Sequence, residues 1–340
     1  MKKVVTLGDI MMSLTTPGNL KFQQANQMNV FYTGAEANVS VSLAIMGMPS
    51  VFLSRLPDND IGQCAVNALR QYGVDVSYCA RGGNRLGILF MEKGTAQRPS
   101  KVIYDRMNSG ICEAKPEHFD WDAVFDNADW FHFTGITPGL GDGTAELTRY
   151  ACRKAKEKGL TVSCDPNYRS KLWSKEKAGR VMSELLPYVD VLITNEGQAG
   201  DVFGIVPPHP SPIGVPTSRE SAVYLAGEFQ KRFGCRNVAI TIRTTLSGND
   251  HNFAAMFFDG ERYCFSKEYH MHVLNRVGGG DAFAAGLIYA LKTGMSSQET
   301  VEYATAAAVL KHSIECDFNL STVQEIKTLA GGNGSGNISR

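Results

Sequence analysis

Short apolar, β-branched runs alternate along most of the chain with longer segments whose apolar positions recur at helical spacing. Val4–Leu7 reads as a first strand. Ala35–Met46 reads as a helix ended by Gly47, a residue suited to the left-handed turn after a helix. Val51–Leu53 returns as a strand, and Ile61–Tyr72 forms the next helix before Gly73. Trp130–Thr134, Thr161–Cys164, Val189–Thr194 and Val238–Ile242 are further strands, and Ala145–Lys158 is one of the helices between them. Repeated strand–helix units predict an α/β fold with a parallel sheet covered by helices.

Residues 10–33 and 86–104 break this rhythm. Both read as strands joined by turns, without helices, and suggest a small β flap over the main sheet. Ala254–Phe258 and Arg262–Phe265 flank Asp259-Gly260-Glu261, a hairpin turn signal. Pro207, Pro208, Pro210, Pro212 and Pro216 mark one irregular loop, and the closing GGNGSGNISR has the composition of a flexible tail. The expected organisation is one domain over about residues 1–330, with flap segments at about 10–33 and 86–107 and a tail at 331–340.

Composition narrows the function. Of 340 residues, 43% are hydrophobic, enough for a full-sized core. Lys plus Arg and Asp plus Glu are equal at 34 each, so no global charge points to nucleic acid or an anionic membrane. Trp121, Trp130 and Trp173 are scattered rather than interleaved with basic residues. No apolar run reaches the length of a membrane span, and MKKVVTLGDIMM lacks the features of a signal peptide. A soluble, cytoplasmic protein is expected. Its eight cysteines have no C-x-x-C spacing and read as reduced core thiols. His270 and His272 have no third metal ligand nearby in sequence, so a solvated strand is the simpler reading. His132, between Phe131 and Phe133, reads as a buried, satisfied histidine.

The most informative segment is Asn275-Arg276-Val277-Gly278-Gly279-Gly280-Asp281, followed by a helix-forming run at Ala282–Leu291. Glycines let backbone N–H groups converge, and a helix N-terminus adds partial positive charge, so the pair suits a phosphate. Asp281 at the first turn is placed to take a proton from an attacking hydroxyl. Gly278–Asp281 alone is equally a glycine-rich turn with an ordinary aspartate cap. Other phosphate loops are excluded by spacing. A dinucleotide fingerprint beginning at Gly278 would need glycine where Phe283 stands, and no Gly-Lys-Ser/Thr occurs. Asp317-Phe318-Asn319 lacks the protein-kinase glycine and catalytic loop.

These residues, with Thr33-Gly34-Ala35-Glu36-Ala37-Asn38 more than 200 positions earlier, resemble the two signatures of the PfkB (ribokinase-like) carbohydrate kinases. The resemblance covers about residues 1–325. It implies a three-layer α/β/α domain with a β lid, ATP and Mg²⁺ as cosubstrate and cofactor, and a homodimer formed through the lid. Asp281 becomes the base, and Gly278, Gly279 and Gly280 the anion hole, with Asn195, Thr241 and Arg243 toward ATP. Pro17–Phe22, Asp165–Arg169 and Asp317-Phe318-Asn319 are similar to the 2-keto-3-deoxygluconate kinase branch. That likeness implies a sugar-acid substrate held by Gly34, Asn38, Tyr104, Arg106, Asn167, Arg169 and Asp317; a kinase of fructose, ribose or 5-dehydro-2-deoxygluconate, or a non-catalytic sugar-binding regulator, is the alternative. Arginine suits a carboxylate by its two-pronged geometry; taken singly, Arg106 and Arg169 read as solvated surface charges. Three positions depart from the family pattern. Asn275 replaces the first acid of the C-terminal signature, where a K⁺ site would be formed. Gln198 replaces the second acid of the metal-linked Asn195–Gln198 motif, leaving Glu196 to act on Mg²⁺ through water. Thr241-Ile242-Arg243 stands where a T-x-G turn is usual.

Overall fold

A parallel strand with helices on both faces must be apolar on both faces, and the predicted strands meet this requirement. In Lys3–Leu7, Val4 packs to one side of the sheet with Trp130, Ile193 and Phe283, while Val5 and Leu7 pack to the other with Phe131, Phe133 and Leu192. The computed structural model describes residues 1–211 and 215–332. Pro212 and the expected tail from residue 333 onward lie outside the described residues.

Among the described residues the main sheet has nine strands. Ser50–Leu53, Lys3–Leu7, Ala128–Thr134, Thr161–Asp165, Val191–Thr194 and Asn237–Thr245 lie side by side and parallel. Asp250–Phe258, Tyr263–Phe265 and Tyr269–His272 complete one edge in antiparallel pairing. Helices Ala35–Ile45, Gly279–Lys292 and Ser297–Lys311 cover one face; Asp142–Glu157, Lys175–Leu185 and Arg219–Phe233 cover the other. The result is the expected three-layer α/β/α arrangement.

The two stretches without helices form a separate four-stranded sheet in the order Asn29–Thr33, Met11–Thr15, Gly87–Glu92, Lys101–Asp105. Its central pair, Met11–Thr15 and Gly87–Glu92, is parallel; the outer pairs are antiparallel. This flap leaves the main sheet straight after the first strand and returns at Gly34, so it hangs over that strand's carboxyl end. From the first strand the chain pairs outward with Ser50–Leu53, then returns to add Ala128–Thr134 on the opposite side. Strand order reverses there, and such reversals open a crevice at the carboxyl ends of the strands.

Element ends moved by one to four residues, most for local reasons. The second helix is Asp60–Arg70, because Asn59 caps it by accepting the Gly62 N–H at 3.0 Å. The strand expected from Val189 begins at Val191, since Leu186–Tyr188 form a 3-10 turn around Pro187. The strand at Asn237–Thr245 runs past Ile242, because its antiparallel partner keeps pairing with it to Thr245. The cysteine expectation needs correction. All eight are free, yet only Cys152, Cys164 and Cys235 are buried, and Cys64 is exposed. Among the described residues no helix is long and apolar enough to cross a membrane.

Gly34 locks flap and core together. A Cβ there would lie 1.9 Å from the Asp9 carbonyl oxygen, so the first turn of Ala35–Ile45 presses directly on the chain leaving the first strand. Gly34→Ala should therefore cost about 2–4 kcal/mol, the range of strained or overpacked buried sites. Urea unfolding of the two proteins would measure the difference.

Candidate active site

Residues at the carboxyl ends of the strands have side chains and loop amides pointing out of the sheet, where nothing in the core can occupy them. Asp9, Asp165, Thr194 and Asn195 all follow or end strands of the parallel set. Between these ends and the flap lies a cleft of about 860 Å³. Every residue predicted from sequence lines it except Asp317.

The glycine loop forms one wall. Gly278 caps Gly279–Lys292 with φ +85°, a left-handed conformation open to glycine, and a Cβ there would lie 2.1 Å from the Asp317 carbonyl oxygen. The first amides of a helix have no partner within it. Those of this helix border the cleft and offer N–H groups, with the helix dipole behind them, to an anion. Asp281 sits in the first turn, and its Oδ2 accepts the Asn38 Nδ2–H at 2.7 Å. Burial pushes its pKa up to about 7, with Asp165 and Glu36 pushing the same way and the Asn38 hydrogen bond and Arg169 opposing. A carboxylate near 7 is suited to accept a proton at neutral pH.

The flap wall carries Tyr104 and Arg106. Arg106 is 5% exposed, which corrects the reading of it as a solvated charge. Its guanidinium stacks on the Tyr104 ring, 4.6 Å from the centroid, and reaches Asp9 Oδ2 only at 3.8 Å and Met11 Sδ at 3.9 Å. Asp9 Oδ2 has no hydrogen-bond partner among the described residues, and burial raises the Asp9 pKa against the pull of Arg106. A loosely paired guanidinium beside an unpartnered carboxylate oxygen leaves both free for a ligand. On the sheet side, Asp165 Oδ1 accepts the Asn167 N–H at 2.8 Å and holds Asn167 at φ +39°. Burial lifts Asp165 to about 6. Arg169, two residues on, is exposed at the cleft rim. Asp317 lies off the cleft, buried behind the glycine loop, with Oδ1 accepting from Asn275 Nδ2 at 3.0 Å.

The other half of the cleft is basic and then apolar. Thr241, Arg243 and Arg276 line it. Burial, then Arg276 and Arg169, holds the Arg243 pKa below its ordinary value. Arg276 donates to the Ser247 and Gly248 carbonyls at 3.2 and 2.7 Å, which anchors it beside the loop. Val206 and Val215, each more than half exposed, form an apolar end with Ile205 and Pro207. Asn195 Oδ1 caps the helix Glu196–Phe203 by accepting the Gln198 N–H at 3.0 Å, and Glu196 Oε1 accepts the Ser211 N–H at 2.9 Å. Gln198 Oε1 is buried without a partner among the described residues. No group of three or more His, Cys, Asp or Glu side chains is arranged to hold a metal among the described residues.

His132 is wholly buried with Nδ1 2.8 Å from Ser163 Oγ, but its Nε2 has no partner among the described residues, so the expectation of a satisfied histidine is met at one ring nitrogen only. His270 and His272 lie exposed on one edge strand, against Asn252 and Asp250.

Residues 1–314, which hold both the flap and the glycine loop, match the pfkB family carbohydrate kinase pattern. The chain belongs to this family. A crystal structure of 2-dehydro-3-deoxygluconokinase from Thermotoga maritima superposes on this pfkB kinase with a TM-score of 0.94 at 45% identity, covering 97% of this chain and 98% of that one. A pfkB family carbohydrate kinase from Listeria grayi superposes with a TM-score of 0.90 at 33% identity, covering 97% of this chain and all of the other. The 2-dehydro-3-deoxygalactonokinase of Haloferax volcanii is 30% identical over 334 residues, 98% of each chain.

Sequence reasoning passed over Asp9, Asp165 and Arg276 as site residues. Asp9 and Asp165 stand at the ends of predicted strands in an α/β pattern, which is the available signal. Arg276 was adjacent to the glycines but carried no distinguishing spacing. Val206 and Val215 had no local signal at all, because an apolar residue in a proline-rich loop looks the same whether it lines a cleft or packs.

Asp281 and Glu36 reach about 7 and Asp165 about 6, from ordinary values near 4 in an unfolded chain. Between those values the folded protein keeps protons the unfolded chain has lost, so stability falls as pH rises from about 4 to about 7. Asp281→Asn removes one such group. In urea unfolding its stability relative to wild type should be more favourable at pH 8 than at pH 5; an unchanged gap would contradict the raised Asp281 pKa.

Proposed function

We propose that this pfkB kinase transfers the γ-phosphoryl group of ATP to the C6 hydroxyl of 2-keto-3-deoxygluconate, giving 2-keto-3-deoxy-6-phosphogluconate. The observation that carries the reading is the pairing of Asp281 at a glycine-rich helix N-terminus with a loosely paired Arg106 under the flap, in one cleft. A sugar acid fits between them. Arg106, with Arg169 at the rim, receives the carboxylate, while Asp9 and Asn167 accept and donate to hydroxyls. The C6 hydroxyl then points to Asp281, which takes its proton as the oxygen attacks phosphorus. Gly278–Gly280 amides and the helix dipole stabilise the charge on the transferring group. Arg243 and the Arg276 side reach the remaining phosphates, and Val206 and Val215 offer an apolar seat for the base.

Mg²⁺ commonly takes one or two protein carboxylates, directly or through water, and fills its shell with phosphate oxygens and water. The donors here fit that pattern: Glu196 and the unpartnered Gln198 Oε1 would hold such an ion through water. Bound there, it would neutralise charge on the ATP phosphates. Gln198 is neutral where the family motif has an acid, so Glu196 would be the charged protein group in that set. Asn38 keeps the Asp281 carboxylate turned toward the cleft. Closure of the flap would exclude water that could compete for the phosphoryl group. Exposed Val30 and Ile103 on the flap suit contact with a second copy, in a homodimer.

The galacto epimer is the second reading. It shares the carboxylate and the C6 hydroxyl, and the 30% identity to the Haloferax galactonokinase over nearly the whole chain supports it.

ADP release should be fast with one of these two keto-deoxy acids and slow with fructose, ribose and 5-dehydro-2-deoxygluconate. A preference for a neutral sugar would overturn the carboxylate role of Arg106. Asp281→Asn should lose about 10³-fold or more in kcat while still binding ATP. The wild-type kcat/KM should fall about tenfold per pH unit below about 7, as Asp281 becomes protonated. Arg106→Ala should raise KM for the sugar acid by about 10–100-fold, the value of a charged hydrogen-bonded contact, with KM for ATP nearly unchanged.

A further inference from the structure

Lys311 has no exposed surface, although lysine is almost never fully buried without a paired charge. It ends the helix Ser297–Lys311, and its chain runs inward behind the glycine loop. Lys311 Cε would lie 3.1 Å from a Cβ on Gly278, so its stem touches the residue that caps the phosphate-side helix. Its Nζ donates to the Ile314 carbonyl at 3.3 Å, and among the described residues no salt bridge holds it.

Its surroundings are oxygen-rich. Asp317 is 3% exposed; Oδ1 accepts from Asn275, and Oδ2 has no hydrogen-bond partner among the described residues. Asn275 Nδ2 also donates to the Cys316 carbonyl at 2.6 Å, while its Oδ1 accepts the Val277 N–H at 2.9 Å. The segment 314–317 and the start of the loop are thereby stitched together, and Lys311 Nζ reaches the same segment at Ile314. Carbonyl and carboxylate oxygens gathered in a buried place are the donors a hard cation takes. Burial pulls the Lys311 pKa down to about 8, while Asp317, Cys316, Asp281 and Glu315 pull it back up, in that order.

We propose that Lys311 is a tethered internal cation that fixes the Gly278–Gly280 backbone and adds positive charge behind it, so that phosphoryl transfer here needs no free monovalent ion. Lys311 touches no substrate and is a positioning residue acting through the loop. The proposal rests on phosphoryl transfer at the Asp281 loop and on no particular sugar.

The test compares wild type with Lys311→Met, which keeps the bulk of the stem, and Lys311→Ala, which leaves room for an ion. Wild-type turnover should be the same in Na⁺ and K⁺ buffers of equal ionic strength. Lys311→Met should lose on the order of 10–100-fold in kcat, with KM for both substrates nearly unchanged, the scale of weakening one anion-hole element. Lys311→Ala should show a similar loss that K⁺ or methylammonium partly restores, with no matching rise in melting temperature. Wild type activated by K⁺ overturns the proposal. So does normal kcat in Lys311→Met, or an Ala loss that no cation restores, or a recovery that only follows melting temperature. Sugar-free ATP hydrolysis gives the same comparison if every sugar acid proves inert, and Asp281→Asn run alongside reports separately on the loop.

Discussion

The space behind Gly278 is too small for any side chain, and that constraint organises the functional half of the molecule. With the Asp317 carbonyl 2.1 Å from where a Cβ would be, the loop can approach segment 314–317 only as glycine in a left-handed turn. That approach aims the first turn of Gly279–Lys292 across the carboxyl ends of the parallel strands. It also fixes Asp281 against Asn38 of the opposite helix. Two helices distant in sequence thus meet at one carboxylate. Any change that lifts the loop moves Asp281 and the first amides of the helix together.

The electrostatics of the cleft follow from crowding. Asp281 and Asp165 are each raised first by burial, and at Asp281 the charges of Asp165 and Glu36 add to it. Across the cleft, Arg243 sits with Arg276 and Arg169, and burial and like charge depress its pKa. Neither set is at rest without a ligand. A polyanion relieves the arginines, and a hydroxyl donor relieves Asp281. In the proposed reaction, binding energy would be directed to the place where charge moves during transfer, which is where it lowers a barrier rather than merely deepening the bound state. Glu36 shows a structural use of the same chemistry: its Oε1 accepts from the Thr134 N–H and both the Thr134 and Thr137 hydroxyls, which ties the flap-side helix to the strand Ala128–Thr134.

The strand–helix alternation, the flap segments and Asp281 were legible from sequence because each has a local cause. Apolar runs, the absence of helical spacing and glycine before a helical stretch are visible within a few residues. Asp9, Asp165, Arg276 and the apolar seat at Val206 and Val215 were not, because their roles arise from the order of strands in the sheet. Arg106 shows the limit most clearly. An arginine in a flap strand is ordinarily solvated, and nothing nearby in sequence shows that the chain folds it onto Asp9, 97 positions earlier. Asp317 differs in the opposite way, since the cleft lining does not include it. The family likeness placed it on the substrate, whereas the fold turns its carboxyl to Asn275, behind the loop.

That placement gives the Asn275 departure a physical meaning. An acid at 275 would face Asp317 and the carbonyl of Cys316, adding a negative charge to an already oxygen-rich pocket. An amide there instead donates to both, at 3.0 and 2.6 Å, and leaves its own oxygen for the Val277 N–H. The positive charge that a second acid would have required is already present in the chain at Lys311. With the amide at 275, Asp317 is the carboxylate whose charge most supports the Lys311 ammonium, and removing either alone would leave an unpaired buried charge, among the most destabilising defects a fold can carry. The Asn275 amide is matched within the chain on both its nitrogen and its oxygen, while Asp317 Oδ2 stays without a hydrogen-bond partner among the described residues.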